Sequence, residues 1–179
     1  MKINPINSVI SFGKIPVAEF NIDHVSSSGE RTKIPVIVSR SEEKDYNKYY
    51  TEERTKKLYM FRLFNNRKPD SPDCEDYFIT SKTNDELLGC ANCIKEGDRL
   101  NLEIIGTSTN KDYKGIGRAL LAGIAADTKG KLKSLNVPVF LDKAYLFYKK
   151  CHFDYNSEQD ALVLQEDKFD SLIQDAQKI

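Results

Sequence analysis

Alternating apolar and polar residues in the middle of the chain predict a run of β-strands. The segments 34–38 (IPVIV), 76–80 (DYFIT), 87–94 and 100–107 (LNLEIIGT) are rich in β-branched and aromatic residues, as strands are. The last three are separated only by short turns and a few residues. We therefore expect them to pair with one another as consecutive antiparallel strands.

Apolar residues at spacings of three and four predict helices on both sides of this region. The stretch 42–66 has this spacing, and a break near 49–51 divides it into two helices. A helix is also expected from about Ile116, where Leu120 and Ile124 belong to an apolar stripe. The remaining elements are a strand at 137–141, a short aromatic helix at 143–150, a strand at 161–164 and a terminal helix at 169–179.

These elements predict a fold of the α+β class, in which helices flank a single mixed, mostly antiparallel sheet. We expect the domain to span 31–166. Residues 1–30 contain no clear element and are interpreted as a loosely structured arm, and 167–179 as a C-terminal helix. A length of 179 residues agrees with one domain plus a terminal element.

Composition and charge narrow the classes of function. Hydrophobic residues make up 40% of the chain and charged residues 30%, which is the balance of a globular protein with a core. The 27 basic and 27 acidic side chains cancel, so net charge gives no attraction to nucleic acid or acidic membranes. No apolar run approaches the ~20 residues of a membrane span, and no secretory signal is recognisable. We therefore expect a cytoplasmic protein with reduced cysteines that binds neither nucleic acid nor membrane.

Two glycines, Gly115 and Gly117, lie between a predicted strand and the helix expected from Ile116. Glycine lets the backbone approach an anion closely, and the first N–H groups of a helix have no partner within it. The arrangement predicts a phosphate-binding loop. A dinucleotide fingerprint is excluded because Leu120 stands where its third glycine would be, and the P-loop sequence is absent. A strand-to-helix turn without a ligand uses the same glycines and stays open.

A second motif follows this loop after one predicted strand. The loop motif is 112–121 (DYKGIGRALL) and the second motif is 144–153 (AYLFYKKCHF). Together they resemble the coenzyme A motif and the tyrosine-containing signature of the GNAT superfamily of N-acyltransferases, and the resemblance covers about 33–165. The chain departs from the family pattern at Asp112, where Gln or Arg is usual, and at His152, where Gly is usual.

The resemblance implies a three-layer α-β-α architecture and an N-acetyltransferase that takes acetyl-CoA as its acyl donor. An amine attacks the thioester directly in that family. The pantetheine arm lies along the splayed end of the fourth strand, here 100–107, beside Ile105 and Thr107. Tyr148 matches the tyrosine that protonates the leaving thiolate. Six residues match the pyrophosphate loop by their backbone N–H groups: Lys114, Gly115, Ile116, Gly117, Arg118 and Ala119.

Glu103 is the candidate general base. Strand alternation predicts that it faces the same side as Asn101 and Ile105, within an otherwise apolar strand. With helices on both faces of the sheet, such a carboxylate should lie in a cleft or be paired, and a cleft would suit a base. A purely structural carboxylate remains the alternative.

The cysteines and histidines give no metal or nucleophile motif. Cys90 and Cys93 are three apart in a predicted strand, so their thiols should face opposite sides and cannot share an ion. Cys151 and His152 are neighbours, which does not present both side chains to one site, so a covalent cysteine is not expected. His24 is expected to be solvated. No metal is expected.

The sequence does not define the acceptor amine. A protein N-terminus, a lysine, a polyamine and a small metabolite all remain, and the family builds this site largely from its first helices, here 42–66, and its last strands. A homodimer is left open. The main alternative is a non-catalytic GNAT-like module that senses acyl-CoA or binds a protein, which Asp112 at the loop favours. In a third hypothesis, the N-terminal arm binds a partner or directs targeting.

Overall fold

A nine-stranded sheet organises the part of the chain that the structure describes. The computed structural model describes residues 14–41, 73–138 and 142–179. The strands are β1 (Lys14–Val25), β2 (Arg31–Ser41), β3 (Cys74–Ser81), β4 (Leu87–Glu96), β5 (Arg99–Thr107), β6 (Tyr113–Lys114), β7 (Ser134–Pro138), β8 (Asp154–Asn156) and β9 (Ala161–Gln165). The helices are α1 (Ile116–Thr128), α2 (Asp142–Lys150) and α3 (Phe169–Gln177), the last preceded by a 3-10 turn (Glu166–Lys168).

The strand order is β6-β1-β2-β3-β4-β5-β7-β9-β8. Neighbouring described strands pair antiparallel except β5 and β7, which are parallel. The mixed, mostly antiparallel sheet confirms the predicted α+β fold class. The consecutive antiparallel strands β3, β4 and β5 fall where the sequence predicted them. The two helices predicted over 42–66 lie outside the described residues.

One apolar core lies between the sheet and the described helices. In β3, Tyr77 and Ile79 face this core, while Phe78 between them is buried on the opposite face beside its cross-strand partner Cys90. Helix α3 packs on α1, and Phe169 and Leu172 complete the same core. The terminal helix is therefore integrated with the sheet domain.

Helix α1 lies unusually close to β2. A Cβ added at Gly123 would stand 2.5 Å from Cγ1 and 2.6 Å from Cβ of Val38, distances that real atoms do not adopt. Only a glycine at this helix position allows the backbone to approach the strand this closely. The contact fixes the distance of α1 from the sheet.

The prediction of a loosely structured arm over residues 1–30 was wrong for the second half of that range. Lys14–Val25 forms the 12-residue strand β1, which pairs with β2 through a hairpin. Phe20 and Ile22 point into the core, whereas Glu19 and Asn21 are exposed. The alternation is short, and a bulge between Pro16 and Ala18 interrupts it, so long-range pairing determines this strand. Residues 1–13 lie outside the described residues.

Two further boundaries differ from the predictions. The strand expected at 137–141 is β7, and it begins at Ser134. The earlier start was not predicted because Ser134 and Asn136 are polar, although both are buried within the strand. Residues 139–141 lie outside the described residues. The polar loop expected after β5 contains the two-residue strand β6, and the short strand β8 was not predicted. Both are too short to have a pattern of their own.

Replacement of Gly123 with Ala should destabilise the fold. A Cβ at this position collides with Val38, and such overpacking costs about 1–3 kcal/mol. Urea unfolding followed by circular dichroism measures the loss. Without the collision, the same change would stabilise a helix by about 0.4–1 kcal/mol, so a gain in stability would contradict the close contact.

Candidate functional site

The sheet splits between β5 and β7. These strands pair only over Arg99–Asn101 with Ser134–Asn136, although β5 continues to Thr107 and β7 to Pro138. Beyond Asn101, the β5 edge that faces β7 has no strand partner among the described residues, while its other edge stays paired with β4. Unpaired backbone groups on such an edge can bind an extended ligand in the manner of an added strand.

A β-bulge in β5 lies at the point of the split. Leu102 pairs with Cys93 and Ile104 pairs with Asn92, which leaves Glu103 as the extra residue. The bulge reverses the alternation, so that Ile105 packs against the core like Leu102. The prediction that Glu103 and Ile105 share a face was therefore wrong. Glu103 is exposed on the opposite face, where it lines an open cavity of about 400 Å³.

The glycine loop forms the start of α1, as predicted. Gly115 is the N-cap, with φ 91°, in the left-handed region that glycine adopts without strain. No side chain caps the helix and no acidic residue lies in its first turn. The N–H groups of Ile116, Gly117 and Arg118 have no partner within a helix, so three donors and the positive end of the helix dipole are available to an anion.

Two residues of the predicted loop contribute differently. The N–H of Ala119 donates to the carbonyl of Gly115 at 2.9 Å, so this donor is used inside the helix. Lys114 lies in β6, where it pairs with Asp23, and its ammonium donates to the carbonyl of Lys111. The helix itself begins after Gly115.

The loop before α1 is fixed to β1. The carbonyl of Asp112 accepts a hydrogen bond from the N–H of Val25 at 2.9 Å. The ring of Tyr113 packs on His24, with centroids 5.3 Å apart, and its hydroxyl donates to Glu86. Burial, then Glu86 and finally Asp112 raise the pKa of Tyr113, which places the Asp112 charge beside this ring. His24 is part of this anchor, so the expectation that it is merely solvated was wrong.

Helix α2 closes one side of the opening. A Cβ added at Gly117 would lie 3.0 Å from Cζ of Phe147 and 3.8 Å from Cγ2 of Thr107, so these residues meet at the start of α1. Tyr148 is 5% exposed and packs edge-on against Phe147 and Phe153. Burial raises the pKa of its phenol above the ordinary value, with smaller effects from Cys151 and Cys93. The phenol therefore keeps its proton through the neutral range.

Cys93, which pairs with Leu102, acts electrostatically on the Tyr148 phenol. Tyr148 belongs to the core cluster, whereas Glu103 is exposed on the opposite face of the sheet.

Arg118 and the last cysteine form a separate contact. Burial raises the pKa of the Cys151 thiol, while a hydrogen bond from Arg118 opposes that rise. His152 has φ 68° and its Nε2 lies 2.9 Å from Asp175 Oδ2, on α3. A buried thiol with a raised pKa is a poor nucleophile.

Cys90 and Cys93 face opposite sides of the sheet, as predicted, since only Cys93 belongs to the core cluster. Within the described residues, no group of three or more His, Cys, Asp and Glu side chains is arranged to hold a metal ion. None of the helices in that part of the chain has the length and apolar content needed to cross a membrane.

Comparison with known proteins decides the family. The model of the acetyltransferase (GNAT) family matches residues 39–153, well over half of the chain. The chain belongs to the GNAT acetyltransferase family. The predicted transferase class is confirmed, and acetyl-CoA is the acyl donor of this family. No curated protein matches the sequence.

Solved structures agree with this fold. The ribosomal-protein-S18-alanine N-acetyltransferase of Escherichia coli superposes with a TM-score of 0.52 at 16% identity, over 72% of this chain and 88% of that one. The spermidine/spermine N-acetyltransferase SpeG of Vibrio cholerae gives a TM-score of 0.54 at 13% identity, over 76% and 96%. A GNAT acetyltransferase of Staphylococcus aureus gives 0.50 at 13%, over 70% and 88%. At these identities the likeness is one of fold.

Sequence reasoning missed several residues around the opening. Phe147 was assigned only to an aromatic helix, and the polar residues that line the cavity beside Glu103, among them Asn136 and Gln159, were not singled out. A buried Asn flanked by the apolar Leu135 and Val137 was the available signal for the second group.

Replacement of Gly115 with Ala should weaken binding of acetyl-CoA. A side chain at φ 91° is strained by about 1–2 kcal/mol, and its Cβ would lie 3.2 Å from Cδ1 of Ile179. Both effects displace the N–H donors of α1, so calorimetry should measure a higher Kd. The control is Gly29→Ala, at φ 83° in an exposed turn with nothing within 4 Å. Equal losses of affinity in both variants would contradict a role for the loop.

Proposed function

We propose that this protein is an N-acetyltransferase that moves the acetyl group of acetyl-CoA to a primary amine by direct attack. The observation that carries the proposal is the split between β5 and β7, which ends at the free N–H groups of α1. An extended ligand with a pyrophosphate at one end fits both features, because the strand edge offers backbone hydrogen bonds and the helix start offers anion donors.

Different residues of the opening would bind different parts of the acetyl-CoA donor. The N–H groups of Ile116, Gly117 and Arg118 would hold the pyrophosphate, and the β5 edge at Ile105 and Thr107 would hold the pantetheine arm. Phe147 lies against Gly117 and narrows the opening there. The backbone of Asp112 is tied to β1, which holds the chain that leads into this loop.

The chemistry requires one base and one acid. The amine nitrogen bonds to the thioester carbonyl carbon, the carbon–sulfur bond breaks, and the sulfur leaves with the bonding electrons. Glu103 removes the proton that the attacking amine loses, and Tyr148 supplies a proton to the leaving thiolate.

Tyr148 is suited to the acid role by its surroundings. Burial raises its pKa, which keeps the phenol protonated but makes it a weaker acid, so the support for this role comes from its packing and its hydroxyl. Within the described residues, the hydroxyl has no hydrogen-bond partner, and the ring is held by Phe147 and Phe153. The fixed ring supports a proton donor whose hydroxyl is not occupied elsewhere.

Donor binding is the first test of the proposed function. Acetyl-CoA at millimolar concentration should raise the melting temperature, because a ligand that binds the native state stabilises it. Absence of any shift with acetyl-CoA and with free CoA would overturn the proposal. Release of free CoA thiol during incubation with a panel of primary amines then measures turnover. A shift without turnover on any amine would instead support the non-catalytic alternative.

Tyr148→Phe should lower kcat by about 100-fold, because general acid catalysis contributes that much or more. The ring contacts remain, so stability and the acetyl-CoA Kd should stay unchanged. Stopped-assay kinetics and a thermal melt measure the two effects. Tyr145→Phe, on the same helix, is the matched control and should retain activity. A kcat that stays within twofold of wild type would remove Tyr148 from the mechanism.

Glu103→Gln should lower kcat by about 100-fold, because the amide cannot accept the proton that the attacking amine loses. Steady-state kinetics at saturating amine measure this change. The side chain is exposed, so the melting temperature should not move. A kcat within twofold of wild type would show that another group is the base.

A further inference from the structure

The open cavity beside Glu103 has features of a binding site. It has a volume of about 400 Å³, within the roughly 300–1,000 Å³ range of small-molecule sites. It lies on the sheet face opposite α1, at the junction of β5 and β7 where the sheet splits. The lining residues come from β4, β5, β7, β9 and the β8–β9 turn: Glu96, Arg99, Asn101, Glu103, Asn136, Pro138, Glu158, Gln159, Asp160 and Ala161.

The charge of the described lining is strongly negative. Four carboxylates, those of Glu96, Glu103, Glu158 and Asp160, face the cavity against the single guanidinium of Arg99. Nε of Arg99 lies 4.0 Å from an oxygen of Asp98, outside the cavity, which partly compensates that cation. A cavity lined by charge of one sign concentrates ligands of the opposite sign.

A buried amide gives independent evidence for a ligand. Asn136 is 6% exposed, and its neighbours Leu135 and Val137 lie in the core, so its side chain points to the cavity face. The Asn136 Nδ2 group donates to Gln159 Oε1 at 2.9 Å, but its Oδ1 has no hydrogen-bond partner among the residues that the structure describes. A buried carbonyl oxygen without a donor is unfavourable, and a ligand N–H would satisfy it.

The acidic turn is held in place before any ligand binds. The Asn156 Oδ1 atom accepts hydrogen bonds from the N–H groups of Glu158 at 2.9 Å and Gln159 at 3.2 Å. The Tyr155 hydroxyl donates to Asp160, and Asp160 itself has φ 46°. A preorganised turn loses little conformational entropy on binding.

We propose that this cavity binds the acceptor, and that the acceptor is a small aliphatic amine with two or more ammonium groups. The inference rests on the proposed function, because Glu103 would be the base at one end. Arg99 lies four strand residues from Glu103, a distance of roughly 13 Å, so the cavity extends well beyond the attacking nitrogen. Glu158 and Asp160 of the β8–β9 turn hold the second ammonium group, and Asn136 accepts an N–H from the chain between the two.

The test compares a diamine and a triamine with a monoamine as acceptors. Acetyl-CoA-dependent turnover is measured with 1,4-diaminobutane, spermidine and butylamine for wild type and for the double variant Glu158→Gln, Asp160→Asn. The double variant should raise KM for the polyamines by about fivefold or more, as loss of partly exposed ion pairs predicts. KM for butylamine and for acetyl-CoA should change less than twofold. Asparagine tolerates the backbone of position 160, so the turn should be retained.

A matched control separates a local effect from loss of net charge. Glu30→Gln removes an exposed carboxylate in the β1–β2 turn, away from the cavity, and should leave every KM unchanged. High salt should reduce the preference for polyamines over butylamine in wild type, because it screens the carboxylates. A preference that persists at high salt would contradict recognition by charge.

Direct binding separates this inference from the proposed function. Calorimetry with 1,4-diaminobutane and spermidine, in the presence of CoA, should measure binding that the double variant weakens. Such binding would support the cavity even if no amine were turned over. Equal KM values for butylamine and the polyamines, unchanged by the double variant, would overturn the inference and leave the acetyltransferase proposal standing. Polyamine binding that is unaffected by the double variant would also overturn it.

Discussion

The separation of β5 from β7 is the constraint on which the site depends. Three residues of parallel pairing join the strands, and beyond Asn101 they diverge. Because β5 stays paired with β4 on its other edge, it is a rigid wall with one free edge. The far end of β5, at Thr107, reaches the first turn of α1. The N–H groups of Ile116, Gly117 and Arg118 in that turn have no partner within the helix. The backbone groups of the β5 edge and the N–H groups at the start of α1 therefore border one opening. A single ligand with matching hydrogen-bonding groups can satisfy both.

The close packing of α1 keeps this opening in place. Gly123 lets the helix approach Val38 more closely than any side chain would permit, and Gly115 lets the chain turn into the helix at a left-handed φ. β1 and β6 fix the preceding loop through Val25, and α3 supports the helix from the other side. The anion donors are thus held by contacts from several distant parts of the chain.

The bulge at Glu103 returns the end of β5 to the core. Without an extra residue, Ile105 would leave the core and the alternation of β5 would run unbroken to Thr107. With it, Ile105 packs against the core, while Glu103 keeps the cavity face that it shares with Asn101. The four carboxylates of the cavity, Glu103 among them, then bear on which amine enters.

The sequence by itself determined the strands β3 to β5, the helix at Ile116, the glycine loop and the motif around Tyr148. These features are local, because alternation, helical spacing and glycine conformation act over a few neighbouring residues. Only the tertiary structure decided that Lys14–Val25 is a strand, since its polar residues are tolerated through pairing with β2. It alone placed Glu103 in a bulge and gathered the cavity from four strands and a turn. Register and the meeting of distant segments depend on long-range contacts, which no local pattern encodes.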